Sequence, residues 1–351
     1  MNLTPQFKIG SFLRPYVIAE LGSNHNGDMD LARRLILDAK AAGADCVKFQ
    51  SWSKGTIFAR QKYDDNFFVA DDYRDRDDYT LEEIVDKYSI SEEELMEMKV
   101  FSDELGIDFT STPFSEREAD FLVDKLDAPF IKVASMDLTN IPFLKYLAAK
   151  NRPIVISTGL SELGDIDRAV CAIEEVGNAE ICILHCVATY PPEDKDLNLR
   201  NIKTLQTCFP RYPIGFSDHS LGTVIPLAAV AMGAAVLEKH FTLDKNMEGW
   251  DHKVSATKEE MADIVSGSSR IVDALGSSRV QATETEEKKL EFRRSLVLTK
   301  AHKEGEKIEL CNLTSKRPGT GISPNLAEFV EGMRVSRDLP FDHVLTKDDL
   351  I

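Results

Sequence analysis

Short apolar runs rich in β-branched residues alternate with longer amphipathic runs from residue 16 to about residue 275. The short runs have the composition of strands, and the longer ones repeat apolar residues with the period of a helix. Strands are predicted at residues 17–21, 46–49, 108–111, 130–134, 154–157, 182–185, 214–216 and 235–237. Helices are predicted at residues 30–42, 91–105, 116–125, 141–149, 166–176, 199–208, 223–232 and 258–274. Eight strands, each followed by a helix, predict a (β/α)8 TIM barrel, with an open doubly wound sheet as the alternative.

Local signals at the helix ends support this pattern. Ser91 and Glu94 have the spacing of a capping box, and Asp30 is a predicted N-cap. The longest departure from the pattern is the segment 51–88, which is rich in Asp, Arg and Tyr. A loop of that length in a compact barrel is usually a lid or a binding loop, and an irregular acidic surface loop is the other interpretation.

The hydrophobic periodicity stops around residues 276–287, where the composition is that of a linker. We therefore predict a barrel over 1–278, a linker over 279–290 and a second, β-rich module of short strands and turns over 291–351. About sixty residues give a marginal core, so we expect this module to dock on the barrel or on a second chain.

Charge and cysteine content narrow the classes of function. Acidic residues outnumber basic ones by 59 to 42, and a net charge of -17 argues against a general nucleic-acid binder. An anionic substrate would then need a local cluster of cations. The six cysteines form no CxxC pair, and no apolar run is long enough to span a membrane. We expect a soluble, cytoplasmic protein with reduced cysteines that binds neither nucleic acid nor membrane.

Polar residues follow every predicted strand. Any one of them alone would be an ordinary residue at the start of a loop, but in a barrel all eight strand ends meet at one rim, where catalytic residues lie. In chain order these residues are Glu20; Lys48 and Gln50; Thr112; Lys132, Ser135 and Asp137; Ser157 and Thr158; His185 and Tyr190; Ser217 and His219; and Lys239 and His240.

The residue types at this rim indicate a chemistry. Lys48 and Lys132 can replace the water around a small dianion, together with nearby hydroxyl groups. The hydroxyl groups are those of Thr112, Ser135, Ser157 and Ser217. His219 and His240, together with carboxylates, suit a divalent metal that keeps positions open for substrate. Such a pocket fits carbon–carbon bond formation with phosphoenolpyruvate, or an aldolase reaction.

The same residues lie in motifs that resemble the sialic acid synthase family (N-acetylneuraminate, legionaminate and pseudaminate synthases), over nearly the whole chain. The motifs are, in order, AELGSNHNGD, AGADCVKFQ, STPF, IKVAS, ISTG, HCVATYP, GFSDHS and LEKHFTLDKN, followed in the tail by RRS and SKRPGTGIS. The resemblance implies a catalytic (β/α)8 barrel followed by a small antifreeze-like (SAF, β-clip) domain. It also implies condensation of phosphoenolpyruvate with an open-chain N-acylated mannosamine-type sugar to give a nine-carbon 2-keto acid.

The resemblance also implies roles for individual residues. His219 and His240 would hold the divalent metal, Mn²⁺ or Mg²⁺. Phosphoenolpyruvate would bind to Lys48, Thr112, Lys132, Ser135, Ser157 and Ser217. Sugar-side or metal-side positions match Glu20, Gln50, Tyr190 and Asp251, and Glu20 or Asp137 would move protons. Arg317 matches an arginine that reaches the barrel of another subunit, which implies a homodimer with swapped C-terminal domains.

Some positions depart from the N-acetylneuraminate-forming pattern. Asp137 stands where that branch has a glutamate, Ala188 replaces an asparagine, and Trp250 stands where proline is frequent. These departures concern the identity of the sugar, mono- or diacetamido, free or 6-phosphorylated, more than the type of reaction. Two other interpretations remain open at this stage. One is a different phosphoenolpyruvate-dependent condensation of the octulosonate type, and the other is a non-catalytic sugar-binding protein.

Overall fold

The computed structural model describes residues 1–66 and 79–351. The chain forms two compact units, Met1–Gly276 and Ser277–Ile351. The predicted linker, residues 279–290, therefore lies at the beginning of the second unit. Among the helices of the described residues, none combines the length and the apolar composition that a bilayer span requires.

The first unit is built on a parallel sheet with the strand order β3-β2-β1-β8-β7-β6-β5-β4. The fold prediction is confirmed, because eight parallel strands alternate with helices around this near-barrel. The seam lies between β3 and β4, where the Thr110 hydroxyl donates to the Phe130 carbonyl at 2.8 Å. The strands are β1 Tyr16–Gly22, β2 Cys46–Gln50, β3 Asp108–Thr112, β4 Ile131–Val133, β5 Ile154–Ser157, β6 Ile181–Cys186, β7 Ile214–Asp218 and β8 Val236–His240.

Helices follow the strands, and each predicted helix has an observed counterpart. Ser91 and Glu94 form the predicted capping box, whereas the N-cap of α1 is Asp28 rather than Asp30, because its side chain accepts from the amides of the first turn. The predicted helix 116–125 is α6 followed by a π-helical turn. In the described residues the helices are α1 Met29–Ala41, α2 Lys54–Ile57, α3 Arg60–Asp65, α4 Leu81–Tyr88, α5 Glu92–Leu105, α6 Glu116–Asp120, α7 Ile141–Ala148, α8 Leu163–Glu175, α9 Asn201–Cys208, α10 Val224–Ala231, α11 Lys258–Leu275, α12 Glu286–Phe292 and α13 Ala327–Val330.

The segment 51–88 is not an irregular loop where the structure describes it. It contains α2, α3 and α4, and α4 begins with a capping box formed by Thr80 and Glu83. Apolar residues of these helices form a small core of their own with Trp52. Part of the predicted loop, residues 67–78, lies outside the described residues.

The interior of the barrel changes from apolar to polar along the strands. Because side chains alternate between the two faces of a strand, Tyr16, Ile18 and Glu20 share one face of β1. The lower layer is an apolar cluster that includes Tyr16, Ile18 and Phe130, and it is closed by Leu3 and Ile9 of the N-terminal segment. The upper layer is polar, so the site lies at the carboxyl ends of the strands.

The second unit contains an antiparallel pair, β9 Ser295–Leu298 and β10 Leu313–Lys316. Its core is a separate cluster that includes Leu296, Leu298 and Ile308. Helix α12 occupies part of the segment predicted as a linker, with Thr285 as its N-cap. The helix is too short to show a full hydrophobic period, so its sequence has the composition of a linker.

Candidate active site

Side chains from all eight strands meet in a pocket of about 260 Å³ at the carboxyl edge of the barrel. Strand register places the inward-facing groups side by side, since Glu20 is opposite Lys48 on one side and His240 on the other. The predicted residues that line the pocket are Glu20, Lys48, Thr112, Lys132, Ser135, Ser157, Tyr190, Ser217, His219 and His240. The structure thus brings these ten residues together around one cavity.

The remaining predicted residues lie elsewhere. Gln50 is adjacent to the pocket and donates to Glu20 at 3.0 Å. Asp251 approaches His240, with 3.7 Å between its Oδ2 and Nδ1 of the imidazole. Asp137, on the turn after β4, accepts from Asn140 at 3.2 Å and lies outside the lining. Arg317 belongs to the second unit, where its guanidinium lies 4.7 Å from the centroid of the Phe292 ring.

Two buried lysines form the floor of the pocket. The Lys48 ammonium donates to the Thr112 hydroxyl at 2.9 Å and forms an ion pair with Glu20. Burial disfavours the charge of Lys48, but the carboxylates of Glu20 and Glu238 outweigh this effect and raise its pKa. Burial lowers the pKa of Lys132, and Glu238 only partly offsets it. A bound dianion would supply both lysines with a further counter-charge.

The carboxyl group of Glu20 has a pKa close to neutral pH. Burial raises its pKa to about 7, against the opposing attraction of Lys48. A carboxyl group with a pKa near neutrality can take up or release a proton at physiological pH. Its position beside Lys48 and Gln50 makes it a candidate proton carrier in the pocket.

Glu238 is a pocket residue that the sequence interpretation missed. Its Oε1 accepts from the Ser217 hydroxyl at 3.1 Å and lies 3.5 Å from the Lys132 ammonium, and its Oε2 lies 3.9 Å from the Lys48 ammonium. Burial raises its pKa, but Lys132 and Lys48 outweigh this effect, so the net shift is downward and Glu238 is an anion. Strand alternation was the signal available, because Glu238 and His240 are two residues apart on β8.

Lys239, by contrast, points away from the pocket. Its ammonium is buried and donates to Asp218 Oδ2 and to the Ser220 carbonyl, both at 2.7 Å. The sequence placed it among the rim residues because it follows the predicted strand 235–237. Its position between Glu238 and His240 puts it on the opposite face of the strand.

The two histidines lie side by side, with ring centroids 5.5 Å apart. Nδ1 of His219 lies 2.7 Å from the Val187 carbonyl, which can only accept, so Nδ1 carries a proton, and Nε2 offers a lone pair when the imidazole is neutral. Burial lowers the pKa of His219, but the hydrogen bond with Cys186 and the charge of that group outweigh burial and raise the pKa. Burial, followed by the charge of His219, lowers the pKa of His240 well below its ordinary value, which leaves a neutral imidazole. Within the described part of the chain, Nδ1 of His240 is buried and has no hydrogen-bond partner.

These imidazoles fit a divalent cation as two of its ligands. Among the residues described, no three His, Cys, Asp or Glu side chains are grouped as a complete metal site. A cation held here would therefore keep most of its coordination positions for water or substrate, as a catalytic ion requires.

The hydroxyl groups of the pocket differ in how far they are satisfied. The Ser135 hydroxyl accepts from the Gly159 amide at 3.1 Å, whereas the buried Ser157 hydroxyl lacks a partner among the described residues. A Cβ atom at Gly159 would come within 2.6 Å of Ser135 Oγ and 3.0 Å of the Ala188 Cβ, so only glycine fits between them. Ala188 itself offers no donor, as the sequence indicated. Ser157 is therefore the hydroxyl most available to a ligand.

The mouth of the pocket is aromatic. Tyr190 is 43% exposed, and its ring lies over His219 with 3.9 Å between the centroids. The lysines beneath are almost fully buried. The site thus has a cationic floor for a small anion, a pair of imidazoles above it and an open, partly apolar entrance.

The chain was compared with known proteins. Residues 35–280 match the model of the NeuB family, and residues 293–351 match the SAF domain. A relative named N,N'-diacetyllegionaminic acid synthase from Legionella pneumophila is 36% identical over 94% of this chain and 93% of its own. Human N-acetylneuraminate-9-phosphate synthase is 38% identical over 80% of this chain and 77% of its own.

Solved structures give the same result. The crystal structure of an N-acetylneuraminic acid (sialic acid) synthetase from Leptospira borgpetersenii, in complex with citrate, superposes with a TM-score of 0.71 at 32% identity. The match covers 81% of this chain and 93% of that one. With a family model that spans most of the barrel, an SAF domain that follows it and relatives named as synthases of sialic and legionaminic acids, the chain belongs to the NeuB family.

Proposed function

We propose that this protein is a nonulosonate synthase, which condenses phosphoenolpyruvate with an open-chain N-acylated mannosamine-type sugar. The products are a nine-carbon 2-keto acid and phosphate. The observation that carries the proposal is the convergence of Lys48 and Lys132 with His219 and His240 in one pocket. An anion site next to an imidazole pair is what this reaction needs, because one substrate is a small trianion and the other is an aldehyde.

Phosphoenolpyruvate would bind at the floor. Lys48 and Lys132 would face its phosphate and carboxylate, and Thr112, Ser135, Ser157 and Ser217 would donate hydrogen bonds. Support comes from the free Ser157 hydroxyl and from the burial of both ammonium groups, which strengthens their interaction with an anion. In this binding mode the Glu238 carboxylate lies near both ammonium groups and stabilises their positive charges.

The sugar would enter above, with its aldehyde near the imidazole pair. Mn²⁺ or Mg²⁺ held by His219 and His240 would supply Lewis acidity to the aldehyde oxygen. The methylene carbon of phosphoenolpyruvate forms the new bond to the aldehyde carbon. Water then adds at C2, and the C2–O bond to phosphate breaks, so that C2 becomes a ketone.

Proton transfer is assigned to Glu20. Its carboxyl group lies at the end of the pocket that also contains His240, and its pKa of about 7 suits both uptake and release of a proton. Asp251, 3.7 Å from His240, would hold that imidazole or the sugar. In the described residues the Asp137 carboxyl group accepts from Asn140 and lies outside the pocket lining, so it would reach the substrate if that turn moved.

Assembly is part of the proposal. Arg317 would contact the N-acyl group in the barrel of a second subunit, in a cytoplasmic homodimer with swapped C-terminal domains. Two observations support this assembly. Residues 293–351 match the SAF domain, and the Arg317 side chain in this domain is exposed. Analytical ultracentrifugation and the activity of mixtures of Arg317→Ala with His219→Ala protein test this assembly, since a swapped dimer regains activity in the mixture.

The sugar is the open part of the proposal, because the relatives are named for products that differ in the sugar. We would incubate the protein with phosphoenolpyruvate, MnCl₂ and a panel of N-acetylmannosamine, its 6-phosphate and 2,4-diacetamido hexoses. Phosphate release and product mass then identify the substrate. We expect release with at least one of these sugars and its loss with EDTA.

Other outcomes of this panel decide against the proposal. Phosphate release only with pentose phosphates, with an eight-carbon product, would indicate an octulosonate-type synthase. Sugar binding with no release of phosphate under any condition would indicate a non-catalytic sugar-binding protein. His219→Ala protein that remains fully active without added metal would contradict the metal assignment alone.

A further inference from the structure

Trp52 lies beside the pocket without lining it, and it contacts the pocket through one hydrogen bond. The side chain is 3% exposed, and its indole Nε1 donates to the Gln50 Oε1 at 2.9 Å. Gln50 Nε2 donates in turn to the Glu20 Oε1 at 3.0 Å. The other oxygen of Glu20 forms the ion pair with Lys48. A continuous chain of polar contacts therefore runs from a buried indole to the floor of the pocket.

The direction of this chain is fixed by the chemistry of its ends. An indole N–H can only donate a hydrogen bond, and the Glu20 oxygen that faces Gln50 accepts one from its Nε2. A glutamine amide has one accepting and one donating end, so only one of its two orientations satisfies Trp52 and Glu20 together. Trp52 therefore determines that the amide presents its NH₂ group, and not its oxygen, to Glu20.

The surroundings leave little freedom to these groups. Gly22 has a φ of 49°, and a Cβ atom there would come within 3.0 Å of Glu20 Oε1 and 3.3 Å of Gln50 Nε2. The indole itself packs against Trp250, with 5.7 Å between ring centroids, and lies in one apolar cluster with Ile84 and Val85 of α4. The indole is thus packed between α4 and Trp250.

We propose that Trp52 is a positioning residue, whose indole N–H orients the Gln50 amide so that the amide holds the Glu20 carboxyl group in place. This inference rests on the proposed condensation for its effect on turnover, but its geometry does not. Trp52→Phe keeps an aromatic ring in the cluster and removes the N–H. We expect kcat to fall about tenfold, which corresponds to one hydrogen bond near a charged group, while the KM for phosphoenolpyruvate stays unchanged.

The geometry is tested by NMR, independently of activity. The chain has two tryptophans, so Trp250→Phe assigns both indole N–H signals of ¹⁵N-labelled protein. Gln50→Leu should shift the Trp52 signal upfield and speed its exchange with solvent, since its acceptor is lost, and should leave the Trp250 signal in place. A Trp52 signal that does not respond to Gln50→Leu would overturn the proposal.

The effect on turnover is tested by a double-mutant cycle of Trp52→Phe with Gln50→Leu. If Trp52 acts through Gln50, its substitution lowers kcat tenfold in the wild-type background and has no further effect when Gln50 is already leucine. Trp250→Phe is the matched control, because it removes an indole from the same cluster but not the hydrogen bond to Gln50, so its coupling with Gln50→Leu should be much smaller than that of Trp52→Phe.

The two proposals fail in different ways. Additive effects of Trp52→Phe and Gln50→Leu in an active enzyme would refute the positioning role and leave the condensation intact. A wild-type protein that releases phosphate with no sugar would refute the condensation, and the NMR experiment would still decide whether Trp52 orients Gln50.

Discussion

The floor of the pocket and the interior of the C-terminal unit both contain buried carboxyl groups, but the two are satisfied to different degrees. Asp349 is fully buried and accepts from Arg337, His343, and both the amide and the hydroxyl of Thr346, at 2.7 to 3.2 Å. Burial alone would raise its pKa, but these donors outweigh it and hold the pKa below its usual range. For Glu20 the balance is opposite, and burial dominates.

The same contrast holds for lysines and serines. Lys239 donates to Asp218 and Ser220 away from the pocket. Lys48 and Lys132 donate to Thr112 and to the Val133 carbonyl, and they share the carboxylates of Glu20 and Glu238 at the floor of the pocket, where a ligand can reach them. Ser295 of the C-terminal unit donates to Pro318 and accepts from Gly321, whereas Ser157 has no partner in the described residues. Saturated polar groups stabilise the fold, and unsaturated ones at the pocket are available to a ligand. Paired substitutions can test this division.

The largest effect is expected at the lysines. Lys48→Met should lower kcat/KM for phosphoenolpyruvate about 10²- to 10³-fold, since a preorganised cation is lost, and should change the melting temperature little because Glu20 can become neutral. Lys239→Met should instead leave Asp218 buried and unpaired, at a cost of about 3–5 kcal/mol in the free energy of unfolding. Steady-state kinetics and thermal melts measure both. Equal loss of stability in the two variants would contradict the distinction between lysines that stabilise the fold and lysines that bind a ligand.

The next effect concerns Asp349. Asp349→Asn removes the charge that the Arg337 and His343 groups face, and should cost the C-terminal unit about 3 kcal/mol. Denaturation monitored by the hydrogen exchange of residues 333–350 measures this loss. Hydrogen exchange in the barrel strands is the internal control. An unchanged exchange rate near Val335 would show that the network is dispensable.

The pH dependence of this unit follows from the direction of the Asp349 shift. Because the pKa is lowered on folding, the contribution of Asp349 is complete above the ordinary carboxyl value of about 4 and is lost as pH falls toward the folded pKa. The difference in stability between wild type and Asp349→Asn should therefore be constant from pH 8 to pH 5 and shrink below pH 4. A difference that keeps its full neutral-pH value at pH 2 would refute the charge-based explanation.

The smallest effect is expected at the serines. Ser157→Ala should weaken phosphoenolpyruvate binding about tenfold, as expected for one hydrogen bond to a charged group, without loss of stability. Ser295→Ala should leave binding unchanged and cost about 1–3 kcal/mol, because it strands the Pro318 carbonyl and the Gly321 amide. Calorimetric titration and thermal melts distinguish the two results.

Sequence periodicity was sufficient for the barrel, because each strand and helix buries a continuous apolar face, and the prediction of eight strands is confirmed. Periodicity did not predict helices that are short or that are stabilised by local contacts. Helix α4 depends on a capping box and a small separate core, and α12 lies in a run too polar for a period to be visible.

The site could be predicted only as far as strand ends reveal it. The sequence pattern places the carboxyl end of β8 at Leu237, whereas the strand continues to His240. For this reason the sequence predicted Lys239 as a rim residue and did not predict Glu238. The face of each side chain follows from that register. The link from Trp52 to Gln50 needed coordinates, since a tryptophan after a strand is usually a core residue.

The closure of the lower barrel by Leu3 and Ile9 has a kinetic consequence. In the described residues this apolar layer fills the amino-terminal end of the barrel, so both substrates of the proposed condensation would enter by the mouth beside Tyr190, and both products would leave there. The compact anion would then have to reach the lysines before the bulky sugar occupies the entrance. Steady-state patterns should accordingly be those of compulsory-order entry, and a dead-end sugar analogue should trap the anion inside.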